Sequence, residues 1–197
     1  MRILSIRRAF DADHSSSTYE FFAFERLTAE QRAAVQQLTG KSARRHLRFH
    51  YGGDWGLPSG WDTKLLASGY DVMVSESYDW WGVYLSLPHD PELLDRLEPY
   101  RCDHDGNGLD VRVAGERMIA YFGMQLDYSA AYGAFGEDPF AGLADLFETV
   151  RDELLVGDLS AAWATYQTYG MDGEQGPEPV APLSKSGRTL RSIMEVY

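Results

Sequence analysis

The chain has 197 residues, a formal net charge of −12 and a pI near 4.7, with 44% hydrophobic and 13% aromatic residues. That balance suits one folded domain with a sizeable core, and it disfavours polyanionic partners such as nucleic acid or an anionic membrane. No apolar run is long enough to cross a bilayer, no signal peptide is recognisable, and a single cysteine, Cys102, excludes an internal disulfide and fits a reducing cytoplasm.

Residues 2–9 read as a strand or an irregular arm, and 11–17 as a polar turn. Segment 19–25 is dense in aromatics and predicts a buried strand. Thr28 then opens a helix, with Gln31 three residues on as a capping box; Ala34, Val35 and Leu38 form its inner stripe and Gly40 ends it. Segment 44–51 alternates as a strand with Leu47 and Phe49 on one side, and the glycine-rich stretch 52–60 predicts a loop.

Asp62 is expected to cap a short helix ending at Gly69. Segments 71–77 and 83–87 predict a hairpin with Trp80 and Trp81 at or just past its tip. Asp90 followed by Pro91 signals a helix start, and Leu93, Leu94 and Leu97 face inward before Pro99 stops it. A second hairpin spans 109–113 and 117–124, followed by a Gly- and Tyr-rich loop over 127–136. Leu143, Leu146, Phe147, Val150 and Leu154 mark an amphipathic helix; Gly157 and Asp158 end it and cap the next, whose stripe is Leu159, Ala162, Trp163 and Tyr166. Residues 171–183, with Pro177, Pro179 and Pro182, read as a linker. Leu190, Ile193, Met194 and Tyr197 then recur at helical spacing, too apolar for a free tail.

This order predicts an α+β domain over 1–170, with an antiparallel or mixed sheet, helices mainly on one face, and a ferredoxin-like arrangement with additions. A linker over 171–183 and an amphipathic C-terminal segment over 184–197 complete the chain. The acidic charge is uneven: Lys41, Arg44, Arg45 and Arg48 fall in one ten-residue stretch without an acid, whereas 127–158 holds eight acids against Arg151. Such patches guide self-association or a protein partner, or are solvated faces.

Trp80 and Trp81 are the leading candidates for recognition. On a strand their side chains point to opposite faces, so one is expected in the core and the other free for a partner or capped by loop 52–61. With Trp55, Trp61 and Tyr78 they form the candidate partner-binding set, Tyr70 lying near them in sequence, because Trp and Tyr are enriched in binding hot spots. Basic residues interleaved with Phe49 and Tyr51 offer a second possibility, a nucleic-acid strand platform, which the net charge opposes.

Asp103, Asp105 and Asn107, with Gly108 behind them, copy the opening of a calcium loop, but its twelfth position is Ala114 instead of a bidentate Glu. A polar turn is the simpler account, and no metal or other cofactor is expected. His46 and His50 share a face with Arg44 and Arg48, which repel a cation, and Cys102 with His104 lacks further ligands at zinc spacing. Nucleophile-elbow, phosphate-loop and dinucleotide motifs are absent. An enzyme would therefore work from a motif-free acidic cleft, with Asp79, Asp103 and His104 as its candidates and carboxylate pairs such as Asp103 with Asp105 or Glu76 with Asp79 for acid/base work.

Several short stretches resemble a family of bacterial proteins with no established activity: residues 19–31, Trp55 with Gly56, residues 85–88, residues 157–159 and the Pro-rich approach to Leu190. The resemblance supplies no catalytic residues; it implies a bacterial cytosolic origin and an associating role for the C-terminal helix. The expectation is thus a non-enzymatic interaction domain presenting an aromatic surface to a protein partner or a second copy.

Overall fold

A computed structural model describes residues 16–53, 55–77, 80–126, 128–170 and 176–195. The expected strand at 2–9, most of the turn at 11–17, and Tyr78, Asp79 and Tyr197 lie outside the described residues.

Seven strands form one sheet, antiparallel at every pairing: β1 (Ser16–Phe22), β2 (His46–Gly52), β3 (Val72–Ser77), β4 (Trp80–Pro88), β5 (Cys102–His104), β6 (Asn107–Ala114) and β7 (Arg117–Gln125), in the order β2-β1-β3-β4-β7-β6-β5. The α+β class is as expected. The ferredoxin-like order is not adopted: a split β–α–β unit separates its two strands, whereas β1 and β2 pair directly from Ser16↔Gly52 to Phe22↔His46.

Alternation along the strands divides the molecule into two cores. Val72, Val74, Trp81, Val83, Leu85 and Phe122 point to one face, beneath five helices: α3 (Pro91–Leu97), α4 (Tyr128–Phe135), α5 (Pro139–Leu155), α6 (Ser160–Tyr169) and α7 (Lys185–Met194). Phe21, Leu47, Phe49, Met73 and Ile119 point to the other, covered by α1 (Ala29–Thr39) and α2 (Trp61–Ala67).

Local signals explain most element ends. Thr28 Oγ1 accepts the Gln31 N–H at 3.2 Å, and the Gln31 side chain accepts the Thr28 N–H at 2.8 Å, so two otherwise orphaned donors are satisfied at the start of α1. Asp90 caps α3 ahead of Pro91 through the N–H groups of Glu92 and Leu93. Helix α2 starts two residues earlier than expected, behind Gly60, which leaves Asp62 in its first turn, where a carboxylate favours the helix dipole. The tryptophan pair lies just past the hairpin tip, as expected, but β4 begins at Trp80 instead of residue 83 and so includes it, with Trp80↔Ser77 and Trp81↔Glu76 in register.

Two stretches expected as loops are regular. Residues 128–135 form α4, which buries Ala131 and supports α5. The calcium-like turn is a tight β5–β6 hairpin whose two central residues, Asp105 and Gly106, have φ of 54° and 84°. Positive φ at both central positions is the two-residue hairpin that an Asp-Gly pair favours.

The C-terminal segment packs on the domain. Ser184 caps α7, its N–H reaches Ser160 Oγ at 2.9 Å, and Glu153 accepts hydrogen bonds from Ser184 and Ser186. Leu190, Ile193 and Met194 are buried among α5 and α6. Helices α6 and α7 approach closely at Gly187, where an added Cβ would lie 2.7 Å from Ser160 Cβ. Within the Pro-rich stretch, the Glu178 carbonyl accepts from Tyr100 Oη at 3.0 Å and Val180 packs against the core.

Candidate functional site

The aromatic residues singled out from the sequence do not gather into one patch. Trp81 is 1% exposed, with its ring 5.0 Å from that of Phe140 in the larger core. Trp80 points the opposite way, is 39% exposed and lies beside Gly106. Trp61, at the start of α2, packs edge-on against Phe49 at 5.8 Å, and Trp55 stands 77% exposed in the loop after β2. Tyr70 is buried and donates to the Arg44 carbonyl at 2.9 Å; burial pushes its phenol up to about 12, partly offset by that hydrogen bond.

Tyrosines take the place of a tryptophan cluster on the α1/α2 side of the sheet. Tyr19 and Tyr51 meet edge-on at 6.2 Å, and Tyr84 and Tyr121 lie 4.6 Å apart. Desolvation raises the pKa of Tyr84 and of Tyr121, each with a further push from a neighbouring acidic group, Tyr121 and Asp103 respectively. Both phenols therefore stay neutral across the physiological range.

The basic run of 41–50 is divided by the pleat. Arg48 lies on the five-helix face, 3.4 Å from the buried Glu20, which also receives His46 Nε2 at 2.6 Å. That hydrogen bond, opposed by burial, raises the pKa of His46. Lys41 crosses to the other side, 4.2 Å from the centre of the Phe49 ring, and donates to the Arg48 carbonyl.

Arg44 and Arg45 behave differently. They precede β2 and, because β1 and β2 pair, they meet the segment that leaves β1. With Arg26 and Arg32 they line a depression of about 370 Å³, completed by Leu27 and Ala43. Arg45 donates to the carbonyls of Ala23 and Phe24, and Arg32 to that of Leu27, so these two guanidiniums stiffen the extended stretch between β1 and α1. Arg26 and Arg44 make no ion pair among the described residues. Among the described residues no carboxylate lines this corner.

A second depression, of about 650 Å³, shares Arg26 and Leu27 with the first. At its base lie Asp71, Arg117 and Arg151. Asp71 Oδ2 accepts the Phe24 N–H at 2.9 Å, while its Oδ1 stands 4.0 Å from Arg117 Nη2 and 3.8 Å from Arg151 Nη2. Burial lowers the pKa of Arg117; Asp71 works against that shift and the Arg151 charge adds to it.

The remaining candidates are turn or core groups. Asp103 Oδ1 accepts the Gly106 N–H at 2.8 Å inside the hairpin, and Asn107 is buried with its Oδ1 unpartnered. Asp105 occupies the turn itself. Among the described residues no three His, Cys, Asp or Glu side chains converge to hold a metal ion. Asp103 and His104 are exposed on β5, and burial pushes the Cys102 thiol up, away from the reactive thiolate. No described helix is long and apolar enough to cross a membrane.

Sequence spacing could not reveal the arginine corner. Arg26 and Arg32 lie far from Arg44 and Arg45 in sequence, as Arg117 and Arg151 of the second depression do, and the only hint was the acid-free run containing Arg44 and Arg45. Comparison with protein-family models, curated proteins and solved structures found no match to this chain.

Proposed function

We propose that the protein is a non-enzymatic interaction module that takes an acidic segment of a protein partner at the corner formed by Arg26, Arg32, Arg44 and Arg45. One observation carries this: four guanidiniums share one depression that no carboxylate among the described residues lines, in a chain of net charge −12. Like charges held together without a counter-ion repel one another, and an incoming carboxylate relieves that repulsion while gaining charge-assisted hydrogen bonds. The long-range field of the whole chain opposes every polyanion, and a long polyphosphate more than a short acidic peptide, which is therefore favoured over nucleic acid.

Trp80 and Trp55 supply the aromatic half of this function, since Trp81 is core and their own exposures of 39% and 77% leave indole surface for a partner. The resemblance to bacterial proteins without established activity and the lone cysteine support a bacterial cytoplasmic setting.

Fluorescence anisotropy with a labelled octaglutamate peptide tests the proposal. Arg26→Ala with Arg44→Ala should abolish binding and leave the fold intact, because neither side chain holds a backbone carbonyl among the described residues. Wild-type affinity should fall as salt rises. Unchanged binding by the double variant, no binding by the wild type at low salt, or tighter binding of single-stranded DNA would refute it.

A further inference from the structure

The depression around Asp71 has spare donors. Charge-assisted N–H···O contacts close to about 2.7–2.9 Å, yet both guanidiniums stay 3.8–4.0 Å from Asp71, and Arg151 Nη1 stands 3.5 Å from Asp152. Arg117 spends its Nε on Ser86 Oγ at 3.0 Å and one Nη on the Ser86 carbonyl at 3.4 Å. Arg151 has no comparable bond: its Nε is buried and has no acceptor. A buried charged donor without a partner is unfavourable, and an arriving acceptor removes that penalty.

We infer that this depression is a carboxylate-binding subsite, in which the forks of Arg117 and Arg151 hold one carboxylate group against the Phe24 side of the pocket. The charge balance selects the ligand class. Arg26, Arg117 and Arg151 line the depression together with Glu25, Asp71, Glu148 and Asp152, so a phosphate dianion meets more repulsion there than a single carboxylate does. Geometry agrees, because a planar two-oxygen acceptor matches a guanidinium fork. The Phe24 ring, 5.9 Å from the Arg151 guanidinium carbon, limits the plane in which that fork can lie.

Arg26 and Leu27 border both depressions, so one acidic segment can place one side chain in the arginine corner and the next in this subsite. The source of the carboxylate therefore rests on the acidic-partner function, while the subsite itself does not.

The test follows the arginine Nε–H resonances of the whole protein by ¹⁵N NMR during titration with sodium acetate, sodium phosphate or octaglutamate. Acetate should shift the Arg151 resonance saturably. Arg151→Lys, which keeps the charge and loses the fork, should weaken acetate about ten-fold. Asp71→Asn should tighten it about five-fold by removing a competing carboxylate, an effect that a purely structural role for Asp71 does not produce. The absence of a saturable shift, unchanged affinity in Asp71→Asn, or phosphate binding tighter than acetate would overturn the assignment. If Asp71→Asn fails to fold, acetate against phosphate on the wild type still decides. Arg44→Ala separates the two proposals, because Arg44 lines only the arginine corner: it should retain the acetate shift while weakening octaglutamate, whereas loss of the acetate response alone defeats only the subsite.

Discussion

Replacing Trp81 by alanine removes the largest side chain in the main core. A buried aromatic side chain takes about 150–250 Å² out of water, equivalent to ~4–6 kcal/mol at ~25 cal/mol per Å². Residual burial in the unfolded chain reduces that figure, and measured large-to-small aromatic substitutions cost about 3–5 kcal/mol. Trp81→Ala should therefore lower stability by ~4 kcal/mol, or about 8–16 °C in Tm for a domain of this size.

Trp81→Phe should behave otherwise. The smaller ring keeps most of the contact with Phe140 and removes the indole N–H, which is buried without an acceptor and costs about 1–3 kcal/mol to leave unpaired. Loss of packing and relief of the orphaned donor offset each other, so Trp81→Phe should stay within ~1 kcal/mol of wild type. Trp80→Ala, on the partly open face, should also cost no more than ~1 kcal/mol. Urea unfolding followed by circular dichroism measures all three. A Trp80→Ala loss equal to that of Trp81→Ala, or a Trp81→Phe loss as large as Trp81→Ala, would refute the assignment of the two faces.

The raised pKa of His46, caused first by its hydrogen bond to Glu20, makes the pair a pH-dependent contact. Its contribution is fully present below the unfolded-state value of about 6.5 and is lost as pH rises through the higher folded value. NMR titration should find His46 above 6.5 in the wild type and near it in Glu20→Gln; equal values would exclude the coupling. Leu190→Ala, at a fully buried position on α7, should cost about 2–5 kcal/mol in urea unfolding. A change below ~0.5 kcal/mol would mean that the helix is not docked on the domain.

The elements legible in the sequence are those whose causes are local. Thr28 with Gln31 and Asp90 with Pro91 announce helix starts because the capping groups lie within three residues of the N–H groups they satisfy. The stripe from Leu143 to Leu154 is periodic because one face of α5 meets the sheet. Helix α4 was hidden because segment 128–135 is small and aromatic almost all round, with glycine inside it. The Asp105-Gly106 hairpin was hidden because the oxygen spacing that resembles a calcium loop is also that of a polar turn, and the three-residue strand β5 is too short to show a period.

The candidate site was less legible still. Arg44 and Arg45 stood out as basic, but their companions were fixed by strand pairing: the antiparallel β1–β2 ladder brings the residues after β1 beside those before β2. The same ladder sent Arg48 to Glu20 on the opposite face, dividing a run of charge that looked continuous. Asp71 directly precedes β3, Arg117 starts β7 and Arg151 lies in the C-terminal third of α5, separations that no spacing rule spans.

Alternation along β4 alone determined that Trp80 and Trp81 point to opposite faces, since two residues per repeat is a property of the extended backbone. Which indole is buried was decided only by the tertiary structure. Among the described residues, five helices cover the Trp81 face, while two on the other side lie over its Phe21, Phe49 and Met73 region and leave Trp80 partly open. Backbone geometry acts between neighbours in the chain; the cover over a sheet is set by helices from distant parts of it.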